Sequence, residues 1–287
     1  MTKLRDLING KDLIVAPVAL NPIMARLARD SGFKATYLSG GSLGWYKCVT
    51  EANITMPEIA SVCLDIRAAC NLPIIVDAGG VGDPMHIHRA IQLMEATGIQ
   101  GIEIEDQIMP RRVEHHLAIE HLVSTEMMLD RIREAISART NPDLVIIART
   151  NSIRIPDLGI DEVLRRGEAF KKAGADAIFI WTNKPEELRM IGNRIPGPLM
   201  MFAPPDGFDG FEMTPAELAE LGYRIAASPG AAFAAMYKAA KQSYECLAKG
   251  VINPYMERGG VRANMLEAHK TCDLEKLVEI ERRTMKD

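Results

Sequence analysis

The chain has 287 residues, 47% hydrophobic and 25% charged, with 22 Gly, 16 Pro and five Cys. That balance excludes a disordered chain, a collagen-like chain and a disulfide-stapled miniprotein. Lys and Arg number 34 against 38 Asp and Glu, a net charge of -4, which gives no electrostatic footprint for nucleic acid or an anionic membrane. Short apolar runs recur from the start, each followed by a helical pattern. A strand over residues 13–18 leads to a helix over 22–31, then 35–38 to 56–70 and 73–76 to 84–97. Residues 101–105 lead through a long loop to 125–138, 144–148 to 161–173, and 177–181 to 185–192. The last pairs are 198–202 with 215–221 and 223–226 with 231–247, and a further helical stretch covers 273–283.

Length alone suggests about two domains, but eight strand–helix units fit a closed parallel barrel of roughly 250 residues. The strands "IIVDA" and "VIIART" are nearly continuous apolar runs, as expected when both faces are buried. Thr55 with Glu58, and Ser124 with Glu126 and Met127, punctuate helix starts, and Gly98, Gly174 and Gly222 punctuate helix ends. The reading is a (β/α)8 TIM barrel over residues 1–250, with a helical tail over 251–287 used in oligomerisation. Met is abundant at 16 and aromatics are only 5%, so an aromatic near a strand end is informative.

The cysteines, Cys48, Cys63, Cys70, Cys246 and Cys272, form no CxxC pair and are odd in number, which argues against a disulfide framework. Cys63 and Cys70 read as buried thiols. Residues 1–10 lack the long apolar run of a signal peptide, and no run is long enough to span a membrane. The expectation is a cytoplasmic protein with neither a nucleic-acid nor a membrane partner.

Barrel enzymes place their chemistry at the C-terminal ends of the strands. Those ends carry Ser39-Gly40-Gly41, Asp77-Ala78-Gly79-Gly80, Glu103 to Gln107, Arg149-Thr150-Asn151, Trp181, Phe202 and Ser228-Pro229. Asp77 and Glu105 are hard oxygen ligands suited to Mg²⁺. A lone strand-end acid is as readily a cap or a solvated charge, and it is the grouping with Arg149 that favours a site. Arg149 can hold a carboxylate in a bidentate fork. The Ser39-Gly40-Gly41 turn offers N–H groups and a hydroxyl to an anionic oxygen. Gly79 to Gly82 lacks the glycine fingerprint and the lysine of a nucleotide loop, and Gly259-Gly260 reads as a turn.

At these residues the sequence resembles the isocitrate lyase/phosphoenolpyruvate mutase superfamily. The segments are "TYLSGGSLG", "LPIIVDAGGVGD", "GIEIEDQIMPRR", "IIARTNS" and "TPAELAELGYRI", within a similarity covering about residues 10–245. The resemblance implies a Mg²⁺-dependent barrel (Mn²⁺ as substitute), a dimer or tetramer that exchanges its last helix, and bond cleavage beside a carboxylate through an enolate. It implies metal-shell acids at Asp77 and Glu105, a loop acid at Glu51, a carboxylate-binding Arg149, and an oxyanion turn at Ser39, Gly40 and Gly41. Trp45 and Asn151 are taken with this substrate-binding set.

The sequence also departs from the pattern. Gly79 stands where the family has a second Asp, and Val113 where the lyase branch has a catalytic Cys. Trp181 and Phe202 replace a Glu and an Asn that bind polar substrate groups. They either face an apolar part of the substrate or merely pack the barrel mouth. Glu114, His115 and His116 are the candidates for the missing acid, although loop histidines are commonly idle. The resulting expectation is a carbon–carbon lyase of a 2-oxo or 2-hydroxy acid with an apolar distal part. The alternatives are an oxo-acid decarboxylase or hydrolase, a phosphonate-type mutase, or a binding barrel that has lost its metal site.

Overall fold

The computed structural model describes residues 2–79 and 81–285. Gly80, and the ends of the segments 1–10 and 251–287, lie outside the described residues. Eight strands form one parallel sheet: β1 (Ile14–Pro17), β2 (Thr36–Leu38), β3 (Ile74–Asp77), β4 (Gly101–Glu105), β5 (Val145–Thr150), β6 (Ala177–Ile180), β7 (Leu199–Phe202) and β8 (Tyr223–Ser228). From β2 onward each strand pairs with the next in the chain, and β8 pairs with β1. A parallel bridge from Val18 to Tyr37, with Ala19 N donating to Tyr37 O at 3.0 Å, brings β1 to β2 and all but closes the ring. This is the (β/α)8 barrel that the alternation predicts.

The helices are α1 (Leu4–Asn9), α2 (Pro22–Asp30), α3 (Gly40–Tyr46), α4 (Met56–Ala69), α5 (Pro84–Ala96), α6 (Thr125–Ala138), α7 (Gly159–Lys172), α8 (Pro185–Arg194), α9 (Pro215–Glu220), α10 (Ala231–Ala248), α11 (Gly260–Thr271) and α12 (Leu274–Thr284). Their ends follow side-chain chemistry. Asn21 Oδ1 accepts from Met24 N at 3.0 Å, Ser124 Oγ accepts from Met127 N at 3.2 Å, and Thr55 N donates to Glu58 Oε2 at 2.9 Å. Gly98, Gly174 and Gly222 sit at φ +75°, +105° and +91°, the left-handed turn that lets the chain leave a helix and enter the next strand.

Inside the barrel, Tyr37, Ile75, Ile147, Phe179, Met200 and Ile225 form one buried cluster. Each such side chain contributes about 2 kcal/mol by leaving water. Leu4 and Ile8 of α1 close the N-terminal end of this cluster, and a Cβ on Gly101 would lie 2.7 Å from Leu4 Cδ2. This cluster is mainly aliphatic, with the one thioether of Met200 and the rings of Tyr37 and Phe179.

Some boundaries differ from the sequence reading. α1 falls where no helix is expected, and Gly259, read as a turn, is the left-handed N-cap of α11 within the helical tail. β5 and β8 run on to Thr150 and Ser228, while β6 stops at Ile180, one residue short of Trp181. The Ser39-Gly40-Gly41 segment is the cap and first turn of α3 rather than an open turn. The chain divides into two compact units, Met1–Ala231 and Ala232–Asp287. No described helix is long and apolar enough to cross a membrane.

Candidate active site

The floor of the site is ionic and lies at the C-terminal end of β2 to β5. Residues two apart on a strand share a face, so Glu103 and Glu105 both point inward from β4. Both are buried. Glu103 accepts from Tyr37 Oη and from Arg149 Nη1, each at 2.8 Å. Glu105 Oε2 accepts from Asn151 Nδ2 at 2.8 Å, and Asn151 Oδ1 accepts from Arg149 Nε at 2.9 Å. Asp77 Oδ1 and Oδ2 accept from the backbone N–H groups of Gly79 (3.0 Å) and Gly40 (3.2 Å). Burial and the neighbouring Asp77 push the Glu103 carboxyl up to about 7, against the pull of Arg149 and Tyr37. Burial also works against the Arg149 charge, but Glu103 and Asp77 more than restore it, so this cation is permanent.

A second tier comes from the loop after β4. The loop is fastened at its root: Asp106 accepts from Thr150 Oγ1 (2.6 Å), Asn151 N (2.9 Å) and Arg166 Nη1 (3.0 Å). Ile108 N donates to His121 O and Val123 N to Asp106 O, which ties the loop into a hairpin. Its short 3₁₀ turn, Val113–Leu117, turns His115 inward. His115 Nε2 lies 3.2 Å from Glu51 Oε1, and Nδ1 lies 3.0 Å from Glu120 Oε1. Burial lowers the affinity of His115 for its proton, but its hydrogen bonds to Glu120 and Glu51 raise it above 6.5. Burial likewise raises Glu51, yet the His115 hydrogen bond and the charges of Arg111, His115 and Arg149 hold it at about 2. His115 thus sits between two carboxylates that favour its protonated form.

The mouth is aromatic. Trp181 and Phe202 meet edge to face with centroids 5.3 Å apart, and the Arg149 guanidinium lies 5.1 Å from the Trp181 centroid and 5.6 Å from that of Phe202. Trp45, which is 53% exposed, and His116 face each other at 6.1 Å. These groups bound a cavity of about 230 Å³ that is also lined by Ser39, Gly41, Glu51, Asp77, His115 and Arg149. A second cavity of about 220 Å³ shares Glu51 and Asp77 and is lined by Gly40, Gly79, Met109 and Arg111.

Most residues singled out in the sequence therefore meet at one place. Glu114 does not: its side chain is 55% exposed and pairs with His121 Nε2 at 2.9 Å. The N–H of Gly40, read as available to a substrate oxygen, is held by Asp77, and the Ser39 hydroxyl oxygen accepts from Ser42 N. Sequence reasoning passed over Glu103, Arg111, Glu120, Arg154 and Tyr37. The signal for Glu103 was present, as a charge two residues from Glu105 in a buried strand. Arg111 stood inside a quoted motif. Glu120 and Arg154, which pair at 2.5 Å, come together only through the tertiary fold.

The donor set does not fit a divalent cation as it stands. Glu105 spends one oxygen on Arg111 and the other on Asn151, and both oxygens of Asp77 accept backbone N–H groups. The described residues contain no cluster of three or more Asp, Glu, His or Cys arranged to hold a metal. Gly79 contributes no ligand where the resemblance implied a second Asp.

The chain was compared with known proteins. The family described as phosphoenolpyruvate phosphomutase matches residues 4–248. 2,3-Dimethylmalate lyase of Eubacterium barkeri is 35% identical over 241 residues, 83% of this chain and 82% of that protein. 2-Methylisocitrate lyase of Aeropyrum pernix is 33% identical over 259 residues, 89% of this chain and 80% of that one. The solved structure of phosphonopyruvate hydrolase in complex with oxalate and Mg²⁺ is similar with a TM-score of 0.83 and 27% identity, over 99% of this chain and 98% of that one.

Proposed function

Because the chain belongs to the phosphoenolpyruvate mutase/isocitrate lyase superfamily, we propose that it is a lyase cleaving a carbon–carbon bond of a 2-oxo or 2-hydroxy carboxylic acid with an apolar distal part. The carrying observation is the composition of the 230 Å³ cavity, whose lining combines Arg149, Ser39 and Asp77 with the aromatic Trp45, Trp181 and Phe202. Among the described residues, Arg149 is the one arginine lining it, and no lysine does. A second substrate anion would meet only His115, already shared between Glu51 and Glu120, so its desolvation there is costly. The same argument weighs against a phosphonate.

For a 2-oxo acid with a hydroxyl at C4, cleavage removes the hydroxyl proton, breaks C3–C4 and releases an aldehyde and an enolate. Arg149 and the Ser39 hydroxyl bind the carboxylate, and the fixed Arg149 charge stabilises the enolate as it forms. Asp77 and Glu51 are the carboxylates facing the cavity. Glu51 is engaged by His115 and Arg111, so the hydroxyl proton is assigned to Asp77. His115, held between Glu51 and Glu120, gives a proton to C3 of the enolate.

The test is a panel of 4-hydroxy-2-oxo acids with methyl, isopropyl or phenyl groups at C4, with the released 2-oxo acid measured by chromatography. If folded enzyme cleaves no member, the reading is wrong. Trp181→Ala is expected to lower kcat/KM for the phenyl member by about 10–100-fold and for the methyl member much less, because a single apolar contact is worth roughly 1–3 kcal/mol.

A separate observation supports self-association. α10, α11 and α12 have no buried residue, and Leu247, Met265, Leu266 and Leu277 are among their exposed apolar side chains. An apolar surface of this kind marks a protein contact, and closed symmetric assemblies of one chain are the common outcome. The unit is assigned to self-association in a dimer or tetramer. Light scattering is expected to give at least twice the 31.6 kDa chain mass, with Leu247→Glu/Leu266→Glu shifting it toward the monomer. With five free cysteines, the enzyme is assigned to a reducing, cytoplasmic compartment.

A further inference from the structure

The Arg111 guanidinium stands among the carboxylates that a divalent ion would need. Its Nη1 lies 2.8 Å from Glu51 Oε2, its Nη2 pairs with Glu105 Oε1, and its Nε donates to Gln107 Oε1 at 2.8 Å. All three charged side chains are withdrawn from water: Arg111 is 5% exposed, Glu51 7% and Glu105 0%. Gly79 faces the same group. It has φ +62°, and a Cβ there would lie 3.4 Å from Arg111 Nη1. A longer side chain at 79 would therefore run into the guanidinium.

A hard divalent ion needs several oxygen lone pairs and tolerates no cation among its ligands. A guanidinium offers five donors in a fixed fork, has no lone pair and keeps its charge at any working pH. Arg111 has also taken one oxygen of Glu105 and one of Glu51, so an arriving ion would have to break a buried pair before it found a ligand. We infer that Arg111 is the resident cation of this site, neutralising Glu51 and Glu105 in place of a divalent metal ion, with Gly79 as the small residue that admits it. Arg111 is covalently part of the chain, so this charge neither dissociates nor yields to a chelator.

The experiment uses full-length enzyme dialysed against EDTA and titrated with Mn²⁺, the free ion being read by electron paramagnetic resonance. Wild type is expected to leave Mn²⁺ free up to about 1 mM, whereas Arg111→Ala binds one ion per chain at least about tenfold more tightly, since a carboxylate pair is then released to act as ligand. Arg111→Ala/Glu105→Gln is expected to lose that gain, and Arg111→Gln serves in the same role if the alanine variant does not fold. Stoichiometric Mn²⁺ uptake by wild type at micromolar concentration, or no gain in a folded Arg111 variant, overturns the inference. The readout is ion binding, so its failure is distinct from a failure of the lyase reading.

Discussion

Arg149→Met is expected to lower kcat/KM for the 2-oxo acid about a thousandfold, the scale seen when one donor to a developing oxyanion is removed. A stability loss of about 3 kcal/mol should accompany it, because the variant leaves a buried carboxylate without its cation. Arg149 is 3% exposed and Glu103 0%, and the two are joined at 2.8 Å. The guanidinium also lies over Phe179, Trp181 and Phe202, so its loss loosens the aromatic wall. The two effects are separable. Arg149→Met/Glu103→Gln removes the orphaned charge and is expected to recover most of the melting temperature while recovering none of the turnover. If activity returned with stability, Arg149 would be a structural group and the carboxylate assignment would fail.

His115→Gln is expected to reduce kcat by about 10²–10⁴-fold, the usual contribution of a positioned acid. The sign of its pH dependence is fixed by the site. Burial disfavours the imidazolium, but Glu120 and Glu51 favour it more strongly and raise the group above 6.5. The protonated form is present below that raised value and is lost as pH climbs through it. Wild-type kcat should therefore fall on an alkaline limb displaced above the ordinary histidine range. The variant should lack that limb, and Glu51→Gln, which removes one of the two favouring carboxylates, should move it toward acid. An unchanged alkaline limb in His115→Gln would assign the titration to another group.

The barrel was legible because its signals are local. Runs such as "IIVDA" and "VIIART" announce strands buried on both faces, and the glycines at 98, 174 and 222 announce where each helix must turn. α3 was not legible. Gly40, Gly41 and Gly44 are poor helix formers, and the helix forms because Ser39 caps it and because Gly44 is pressed on the next segment, where a Cβ would lie 2.6 Å from Glu51 N. The same contact explains why Glu51, far from any strand end, enters the site. The floor was half legible. Asp77, Glu105 and Arg149 follow from the rim rule, whereas the partners that decide their chemistry do not. Tyr37 reaches Glu103 across 66 positions of the chain and Arg154 reaches Glu120 across 34. No spacing rule joins such pairs.

The barrel interior, with α1 at one end and the carboxylates at the other, implies two vocabularies written along the same strands. Near Leu4, Ile75 and Ile147 the interior is aliphatic and fully buried, and there a strand is judged by volume, so that one methylene is the smallest meaningful change. A few residues further on, at Glu103, Glu105 and Arg149, side chains of equal bulk are judged by charge, and the smallest meaningful change is one proton. A substitution matrix for this protein would thus vary along a strand more than between strands. Drift at the first end reads as tolerance, and drift at the second end reads as a new enzyme.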